Sequence, residues 1–361
     1  MTFTIAEIAR EIGASAVGDL TLEVSSIAEP ATARDDQLAI ATTVKFVEQI
    51  AVGDAQAALL DSKTDWKSLG LKAAILLQRP RYALAGITKH FDRGQKLKEG
   101  IHQTALIDPT AKVDPSVSIG AYSVIGSAAT VGRDSVIGPF CMIGAEATIG
   151  PECYLRDHVS IGARVTIGAR FIGQPGVRVG GDGFSYVTPS ISGVENVRKT
   201  LGHRCDAVAQ EYVRIHSLGA VWIGDDVEMG ANSTVDNGTI RDTQIGNGCK
   251  FDNLTHVGHN VVMGQNCLVS GQSGIAGSAV IGKNVVLGGQ TGVSDNIFVG
   301  DNVVVGGGSK ILSNVPAGKV VLGYPAIKMD QQIECYKAVR RLPRFMREIE
   351  MFRKNLLGGK T

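Results

Sequence analysis

The sequence predicts a mainly β protein built on a parallel β-helix, with a small α/β domain before it and a helical tail after it. The deciding observation is a six-residue period: from Ile107 to Ile167 every sixth residue is Ile, Val or Leu, eleven positions in all. The period runs again from Ile245 to Ile311, with an apolar residue at all twelve positions. Neither an α-helix nor an ordinary strand has a period of six. With 45 glycines and only 5% aromatic residues, the composition also favours tight turns over an aromatic core.

A six-residue period suits a three-sided prism in which each face uses one short strand and one turn. Three faces make a coil of about 18 residues, and successive coils pair at roughly 4.8 Å. One aliphatic side chain per face fills the interior, and each stabilises the fold by about 1.5–3 kcal/mol. A single coil cannot bury its own faces, so we expect a long stack over residues 101–325.

Residues 1–100 lack the repeat and alternate between short apolar runs and helical patterns. The opening helix carries Glu7, Arg10 and Glu11 among apolar residues, which is not the pattern of a signal peptide. Alternating strands and helices predict a small α/β domain. The apolar runs are 21–28, 37–43, 57–62 and 72–78, the helical patterns are 44–51 and 83–91, and 92–104 is a polar linker.

Residues 174–220 break the phase of the repeat, and we expect a loop insertion at about 182–217. A long excursion from a solenoid must leave at one corner, and such loops are often functional. Phe184 and Tyr186 stand among glycines there, which favours an ordered binding or packing loop.

Residues 326–361 are helical in composition, and Pro343 is expected to divide them into two helices. The segment is rich in arginine and also carries an apolar stripe. One interpretation is a solvated basic face beside an oligomer contact. The other is a docking surface for an acidic carrier protein, since complementary charge speeds such encounters.

Net charge, the length of apolar runs and the spacing of cysteines narrow the range of possible functions further. A net charge of +1 gives no general argument for nucleic acid or for an anionic membrane surface. No apolar run approaches the roughly 20 residues needed to span a bilayer, so we expect no stable membrane insertion. The six scattered cysteines lack zinc-ligand spacing, so we expect reduced thiols and a cytoplasmic protein.

The most reactive side chain in the repeat is His259, in the segment DNLTHVGHNVVMG (252–264). It follows the inward Val257 by two positions, so its side chain should point outward near a corner. One coil later stands Gly277, whose backbone N–H a ligand can approach closely. A base beside a backbone donor suits acyl transfer, in which the base accepts a proton and the donor stabilises the oxyanion. No serine or cysteine is placed as a nucleophile, which favours direct transfer.

Four neighbours of His259 are further candidates. Asp252 and Asn253 either orient the imidazole, bind a substrate hydroxyl, or are ordinary turn residues. Asn260 is a candidate to bind an amide-bearing donor arm. His256 is a less favoured alternative base. A metal site on the two histidines is not expected, because no third histidine lies one coil away.

Four motifs together resemble the UDP-3-O-acylglucosamine N-acyltransferases of lipid A biosynthesis, and the resemblance covers nearly the whole chain. The motifs are GGDGFSY (180–186), IGDDVEMGANSTVDNGTIRDTQIG (223–246), FDNLTHVGHNVVMG (251–264) and GIAGSAVIG (274–282). The resemblance implies a left-handed β-helix, with His259 as general base and Gly277 as oxyanion donor. It also maps the family's Asp-Asn pair onto Asp252 and Asn253.

The resemblance also implies the partners. The donor would be a 3-hydroxyacyl group on the phosphopantetheine arm of acyl carrier protein, with no bound cofactor. The acceptor would be the 2-amine of a UDP-amino-sugar, contacted by the N-terminal domain. The assembly would be a homotrimer with active sites between adjacent prisms.

The chain departs from the family pattern at several positions that concern the acceptor. Asn237 stands where the family usually has arginine, and Asn296 stands where it usually has a second histidine near the sugar nucleotide. In the uridine-contacting stretch, Ile40 and Thr43 depart; Lys45 is kept and the neighbouring Phe46 is a near match. Asn296, Phe46 and Phe184 are therefore taken as substrate-binding candidates.

Two other functions stay open on the sequence. One is an O-acyltransferase acting on UDP-N-acetylglucosamine, although that relative ordinarily lacks a 100-residue N-terminal domain. The other is a hexapeptide-repeat scaffold that has lost its substrate. The acyl-chain length and the identity of the amino sugar are not determined by these patterns.

Overall fold

The computed structural model describes residues 2–92, 94, 99–193, 195–196, 209–323 and 326–357. The chain forms two compact units, Met1–Lys96 and Leu97–Thr361.

The first unit is an α/β domain around a five-stranded mixed sheet, with an apolar cluster on each face. Its first helix begins with a capping box: the Thr4 hydroxyl accepts from the Glu7 N–H at 3.2 Å, and the Glu7 carboxylate accepts from the Thr4 N–H at 2.8 Å. The strands are Phe3–Thr4, Ser15–Gly18, Glu23–Val24, Ser26–Ala28, Gln37–Ala41, Ala57–Asp61 and Ala73–Leu77; the α-helices are Ile5–Glu11, Val44–Glu48 and Pro80–Phe91.

The second unit is a parallel β-helix with three faces of stacked two- to four-residue strands. The first face contains Ser118–Ile119, Val136–Ile137, Tyr154–Leu155, Ile172–Gly173, Glu228–Met229, Lys250–Phe251, Leu268–Val269, Val286–Leu287, Val304–Val305 and Val320–Val321. The second face contains Leu106–Ile107, Val124–Ile125, Met142–Ile143, Ser160–Ile161, Arg178–Gly181, Thr234–Asp236, His256–Val257, Gly274–Ile275, Gly292–Val293 and Lys310–Ile311. The third face contains Lys112–Val113, Thr130–Val131, Thr148–Ile149, Thr166–Ile167, Val221–Ile223, Thr243–Ile245, Val262–Met263, Val280–Ile281 and Phe298–Val299.

The register of these strands is the predicted one-coil repeat. Ile143 pairs with Ile161, and Val257 pairs with Ile275. The inward residues at the sixth positions are buried along the stack, forming one continuous apolar core. The predicted fold class is therefore confirmed, while the hand of the winding rests on the resemblance.

Two insertions interrupt the regular coil. Ile167 pairs with Ile223 across the long loop, in which Tyr186–Val187 and Val213–Arg214 form an antiparallel hairpin. The expectation that the phase breaks from residue 174 is wrong, because Val179 still fills the core at 2% exposure. The second insertion is not predicted by the repeat: Val235 pairs with Val257, so this coil is four residues longer than the regular coil of 18 residues.

The tail is one helix, Met329–Leu357, and the expected division at Pro343 is wrong. A proline inside a helix removes one N–H donor and costs roughly 3 kcal/mol. Strong helix formers on both sides compensate, and Arg344 pairs with Glu348 one turn later at 2.9 Å. The described side chains of this helix are exposed. None of the described helices is long and apolar enough to cross a bilayer.

Candidate active site

His259 lies at the corner between the second and third faces, just after the strand His256–Val257. Its side chain is half-buried. Its carbonyl oxygen accepts the Ser278 N–H at 2.8 Å, which ties this corner to the next coil. The Asn260 N–H donates to the Thr243 hydroxyl of the preceding coil at 2.9 Å, so the backbone around the imidazole is held from both sides.

Gly277 packs directly against the imidazole from the next coil. A Cβ added at Gly277 would lie 2.6 Å from both Nε2 and Cε1 of His259, so only glycine fits in this arrangement. Within the described part of the chain, the Gly277 N–H donates to no acceptor. The 18-residue register thus places an uncommitted backbone donor beside the candidate base.

The long loop contacts the His259 side chain through Gly183, at the end of the ring that carries Cβ. A Cβ added at Gly183 would lie 2.7 Å from the Cβ of His259. The Gly183 N–H donates to the Ser217 hydroxyl at 2.9 Å, which joins the two ends of the loop. Gly183 belongs to the motif GGDGFSY, but its sequence position alone predicts no role for it.

Asn260 holds the imidazole on its Nδ1 side. The Asn260 Nδ2 lies 3.0 Å from His259 Nδ1, and its Oδ1 accepts the Thr239 N–H at 2.7 Å. Because a backbone N–H can only donate, this bond turns the amide nitrogen toward the ring. A neutral imidazole that accepts at Nδ1 carries its hydrogen on Nε2. The Asn260–Thr239 pair therefore sets the tautomer.

Asp236 is the carboxylate of this site, and it is not among the site residues predicted from the sequence. It ends the strand Thr234–Asp236, and its side chain is 15% exposed. Burial raises the pKa of the Asp236 carboxyl; nearby His256 and His259 oppose that rise, and Asp182 adds to it. The four-residue lengthening of the coil, visible as a phase break after Val235, was the available signal.

Asn237, the departure from the family's arginine, is buried beside the loop. Its Nδ2 donates to the Gly180 carbonyl at 2.9 Å and its N–H donates to the Gly181 carbonyl at 2.7 Å. In the described residues its Oδ1 has no hydrogen-bond partner. Asn237 thus fixes the start of the loop that carries Gly183 to His259.

Asp252 and Asn253 lie at the opposite edge of the second face, at its corner with the first face. Asp252 Oδ2 accepts the Gly271 N–H at 3.0 Å, and Asn253 Oδ1 accepts the Ala231 N–H at 2.6 Å. Their hydrogen bonds join coils and do not include His259, so the imidazole is oriented by Asn260 instead. A role for the pair in binding a substrate hydroxyl stays a prediction.

Asn296 is exposed two coils beyond Asn260. Its N–H donates to the Gly277 carbonyl at 3.2 Å and its Nδ2 donates to Asp295 at 3.2 Å. It therefore supports the backbone of Gly277 from the far side. Its contact with a sugar nucleotide stays a prediction.

The two aromatic candidates lie in different units. Phe46, in the first unit, packs against the buried cluster on one face of the sheet. Phe184, in the loop, is 85% exposed and meets Tyr186 edge to face at 5.1 Å. Arg214 holds Tyr186, with 2.7 Å to its hydroxyl. Both substrate roles stay predictions. Among the described residues, no group of three or more His, Cys, Asp or Glu side chains is placed to hold a metal ion.

Comparison with known proteins places the chain in a family. The family described as "Bacterial transferase hexapeptide (six repeats)" matches residues 134–169 and 242–277, and "Hexapeptide repeat of succinyl-transferase" matches residues 278–313. A UDP-3-O-acylglucosamine N-acyltransferase of Ruegeria pomeroyi is 58% identical over 98% of this chain and 98% of its own. The chain belongs to the UDP-3-O-acylglucosamine N-acyltransferase family. It is an acyltransferase.

Two further family members support the assignment. The enzyme of Paracoccus denitrificans is 52% identical over 74% of this chain and 72% of its own, and that of Pseudomonas aeruginosa is 36% identical over 74% and 69%. A solved UDP-N-acetylglucosamine acyltransferase from Arabidopsis superimposes with a TM-score of 0.51 over 62% of this chain and 71% of its own, at 21% identity. That likeness shows that this N-acyltransferase family member shares the fold.

Proposed function

We propose that this enzyme transfers a 3-hydroxyacyl chain from acyl carrier protein to the 2-amine of a UDP-3-O-acylglucosamine-type sugar in lipid A biosynthesis. The observation that carries the proposal is the contact between His259 and Gly277, which brings a ring nitrogen close to a residue whose backbone N–H is uncommitted among the described residues. The relatives are named UDP-3-O-acylglucosamine N-acyltransferases, which supports the choice of acceptor.

In the proposed reaction, the amine nitrogen attacks the thioester carbonyl carbon while His259 accepts the proton that the nitrogen loses. The Gly277 N–H donates to the carbonyl oxygen as it becomes negative. When the C–S bond breaks, the thiolate of the carrier's arm takes the proton from His259. No covalent enzyme intermediate is needed.

This sequence requires the ring hydrogen to lie on Nδ1 when Nε2 acts as the base. The Asn260 amide would then turn its Oδ1 toward the ring, exchanging the Thr239 N–H for the imidazole N–H. Catalytic hydrogen bonds often reach their working geometry only in the substrate complex. Asn260 is therefore proposed as a positioning residue for His259, in addition to the donor-arm contact predicted for it.

The second face has glycine at two successive outward positions, which leaves room at Gly274 for the acyl chain and the carrier's arm, while the Lys310 side chain lies against Gly292. Its outward positions after His256 are Gly274 and Gly292, where the other faces carry larger residues. A cleft lined by Gly271, Gly289 and neighbouring residues borders this surface. Glycines leave the backbone accessible to a thin, extended ligand.

We propose that the tail helix receives the acyl carrier protein. Arg340, Arg344, Arg347 and Lys354 recur at helical spacing and form a basic stripe. Such a stripe complements an acidic carrier and speeds its encounter. The donor's phosphopantetheine arm belongs to the carrier, so the enzyme is proposed to need no cofactor of its own.

We also propose a cytoplasmic homotrimer with active sites between adjacent prisms. A second prism would cover the half-exposed His259 and exclude water from the reaction. The early coils carry an exposed apolar strip that supports such a contact, including Tyr122 stacked on Phe140 at 5.4 Å. The five described cysteines are free, as in a reducing compartment.

The test is mass spectrometry of products from a panel of UDP-sugars and 3-hydroxyacyl carrier proteins. The expected product is an amide on the 2-amine of the glucosamine-type acceptor. An ester formed on UDP-N-acetylglucosamine would favour O-acyl transfer, and the absence of both product and binding would favour a non-catalytic scaffold. Alanine at Phe46, Phe184, Asp252, Asn253 or Asn296 should raise the acceptor KM if those residues bind it.

A further inference from the structure

Asp236 is a largely buried carboxylate without a donor. Its side chain is 15% exposed, and no described N–H or O–H lies within hydrogen-bonding distance of its oxygens. Among the described residues, the nearest basic side chain is His256, whose Nε2 lies 3.8 Å from Asp236 Oδ2. His256 is already engaged through Nδ1, which lies 2.8 Å from the Thr234 hydroxyl.

Among the residues that the structure describes, the other charged groups around Asp236 do not neutralise it. Asp182 repels it, and the Arg214 guanidinium pairs with Asp182 at 3.3 Å and with the Tyr186 hydroxyl. His259 is near enough to oppose the rise in the pKa of the Asp236 carboxyl, and it is assigned to the chemical step. A buried carboxylate with no donor is costly, and a bound cation or donor would remove that cost.

Resting on the proposed function, we infer that Asp236 binds the acceptor's 2-amino group as an ammonium ion and thereby selects an amine over a hydroxyl. An ammonium brings a positive charge and three N–H donors, whereas a hydroxyl brings one donor and no charge. Partial burial strengthens the difference, because charges attract more strongly away from bulk water. Asp236 is thus a specificity-determining residue within the same site.

The proton count is consistent with this role. An ammonium must lose one proton before its nitrogen can attack, and the Asp236 carboxylate accepts it and releases it to water through its exposed edge. The neutral amine then forms the C–N bond, and His259 moves the second proton to the departing thiolate. Ammonium and thioester give amide, thiol and one free proton.

The test compares the binding of two ligands to the full-length protein by isothermal titration calorimetry. They are UDP-3-O-acylglucosamine and its isostere with a hydroxyl in place of the 2-amine. The wild type should bind the amine at least about tenfold more tightly near neutral pH. The Asp236→Asn variant should bind the two ligands with affinities that differ by no more than about twofold. Its affinity for the hydroxyl isostere should equal that of the wild type, which also shows that the variant folds. Asp182→Asn, a matched carboxylate that Arg214 already pairs, should keep the preference.

Two results would overturn the inference: an unchanged preference in Asp236→Asn, or a wild-type preference that does not decline as the pH rises past the amine's own pKa, near 8 for similar amines. The second measurement uses only wild-type protein, so it decides the matter even if the variant does not fold. A wild type that forms no amide would instead contradict the proposed function. Amide formation with an unchanged preference contradicts only the role of Asp236.

Discussion

Gly277 and His259 are in such close contact that a Cβ at position 277 would lie 2.6 Å from the imidazole Nε2. Gly277→Ala must therefore displace the ring, the backbone, or both. We expect turnover to fall by about 10²-fold or more, comparable to the loss of an oxyanion donor. Steady-state kinetics with acyl carrier protein as donor would measure it.

The matched control is Gly181→Ala, since an added Cβ there meets nothing within 4 Å. That variant should keep turnover within about threefold, because no contact has to move. Thermal melts of both variants separate local displacement from unfolding. Wild-type turnover in a folded Gly277→Ala protein would show that the contact is not needed for the reaction.

His259→Ala removes the proposed base and should lower turnover by at least about 10²-fold with little change in the melting temperature. His256→Ala is the comparison, because its ring lies one residue before the core position Val257 and is 50% exposed. We expect its turnover to stay within about tenfold of the wild type. If the larger loss fell on His256→Ala instead, the assignment of the base would be reversed.

The fold and the His259–Gly277 pair could be predicted because both depend on one short-range rule. Every residue stacks on the residue one coil away, so a period of six determines the core and the neighbours of each corner. Asp236 and Thr239 escaped that rule. They lie in or beside a four-residue lengthening of one coil. Across this insertion, residues 18 apart in sequence are no longer neighbours in space.

The remaining differences have other physical causes. Gly183 reaches His259 from a long loop, and no periodicity predicts where such a loop returns. Pro343 was expected to end a helix, but the local cost of one lost hydrogen bond was outweighed by its helix-forming neighbours. Asp252 and Asn253 shared a segment with His259, yet the width of one face separates them from it.

Asn260→Asp tests the proposed tautomer switch. An aspartate can accept the Thr239 N–H with one oxygen and a ring N–H with the other, which leaves Nε2 free as a base. We expect turnover equal to or above the wild type for Asn260→Asp, and about 10–100-fold lower for Asn260→Ala. The KM for the acceptor should change little in either variant.

A structural role alone would give a different pattern. If Asn260 only stabilises the corner through Thr239, both substitutions would lower the melting temperature and the two variants would have the same turnover. Equal loss in Asn260→Asp and Asn260→Ala would therefore reject the positioning role. The pH dependence of turnover in Asn260→Asp gives a further check. Because its tautomer is fixed, neither the acidic nor the basic limb of the plot of turnover against pH should become steeper.

Arg347→Glu tests the docking of the carrier protein on the tail helix. The charge reversal should raise the KM for an acyl carrier protein donor by about tenfold and leave the KM for an acyl-pantetheine donor unchanged. Arg353→Glu changes the charge equally on the opposite side of the helix, and should have little effect. Added salt should shrink the difference between the two variants. Equal effects of both reversals on both donors would argue against a specific docking surface.

Thiol labelling tests the buried corners of the prism. Burial raises the pKa of both Cys141 and Cys153 to about 11, whereas Cys335 is exposed on the tail helix. The thiolate is the reactive form, so at about pH 8 these two thiols are almost fully protonated and should resist iodoacetamide while Cys335 is alkylated. Peptide mass spectrometry would assign each site, with Cys335→Ser as the control.

As the pH rises toward the raised pKa, labelling of Cys141 and Cys153 should increase, and in denaturant it should become complete. Rapid labelling of either thiol at pH 8 in the folded protein would mean that the coils open there.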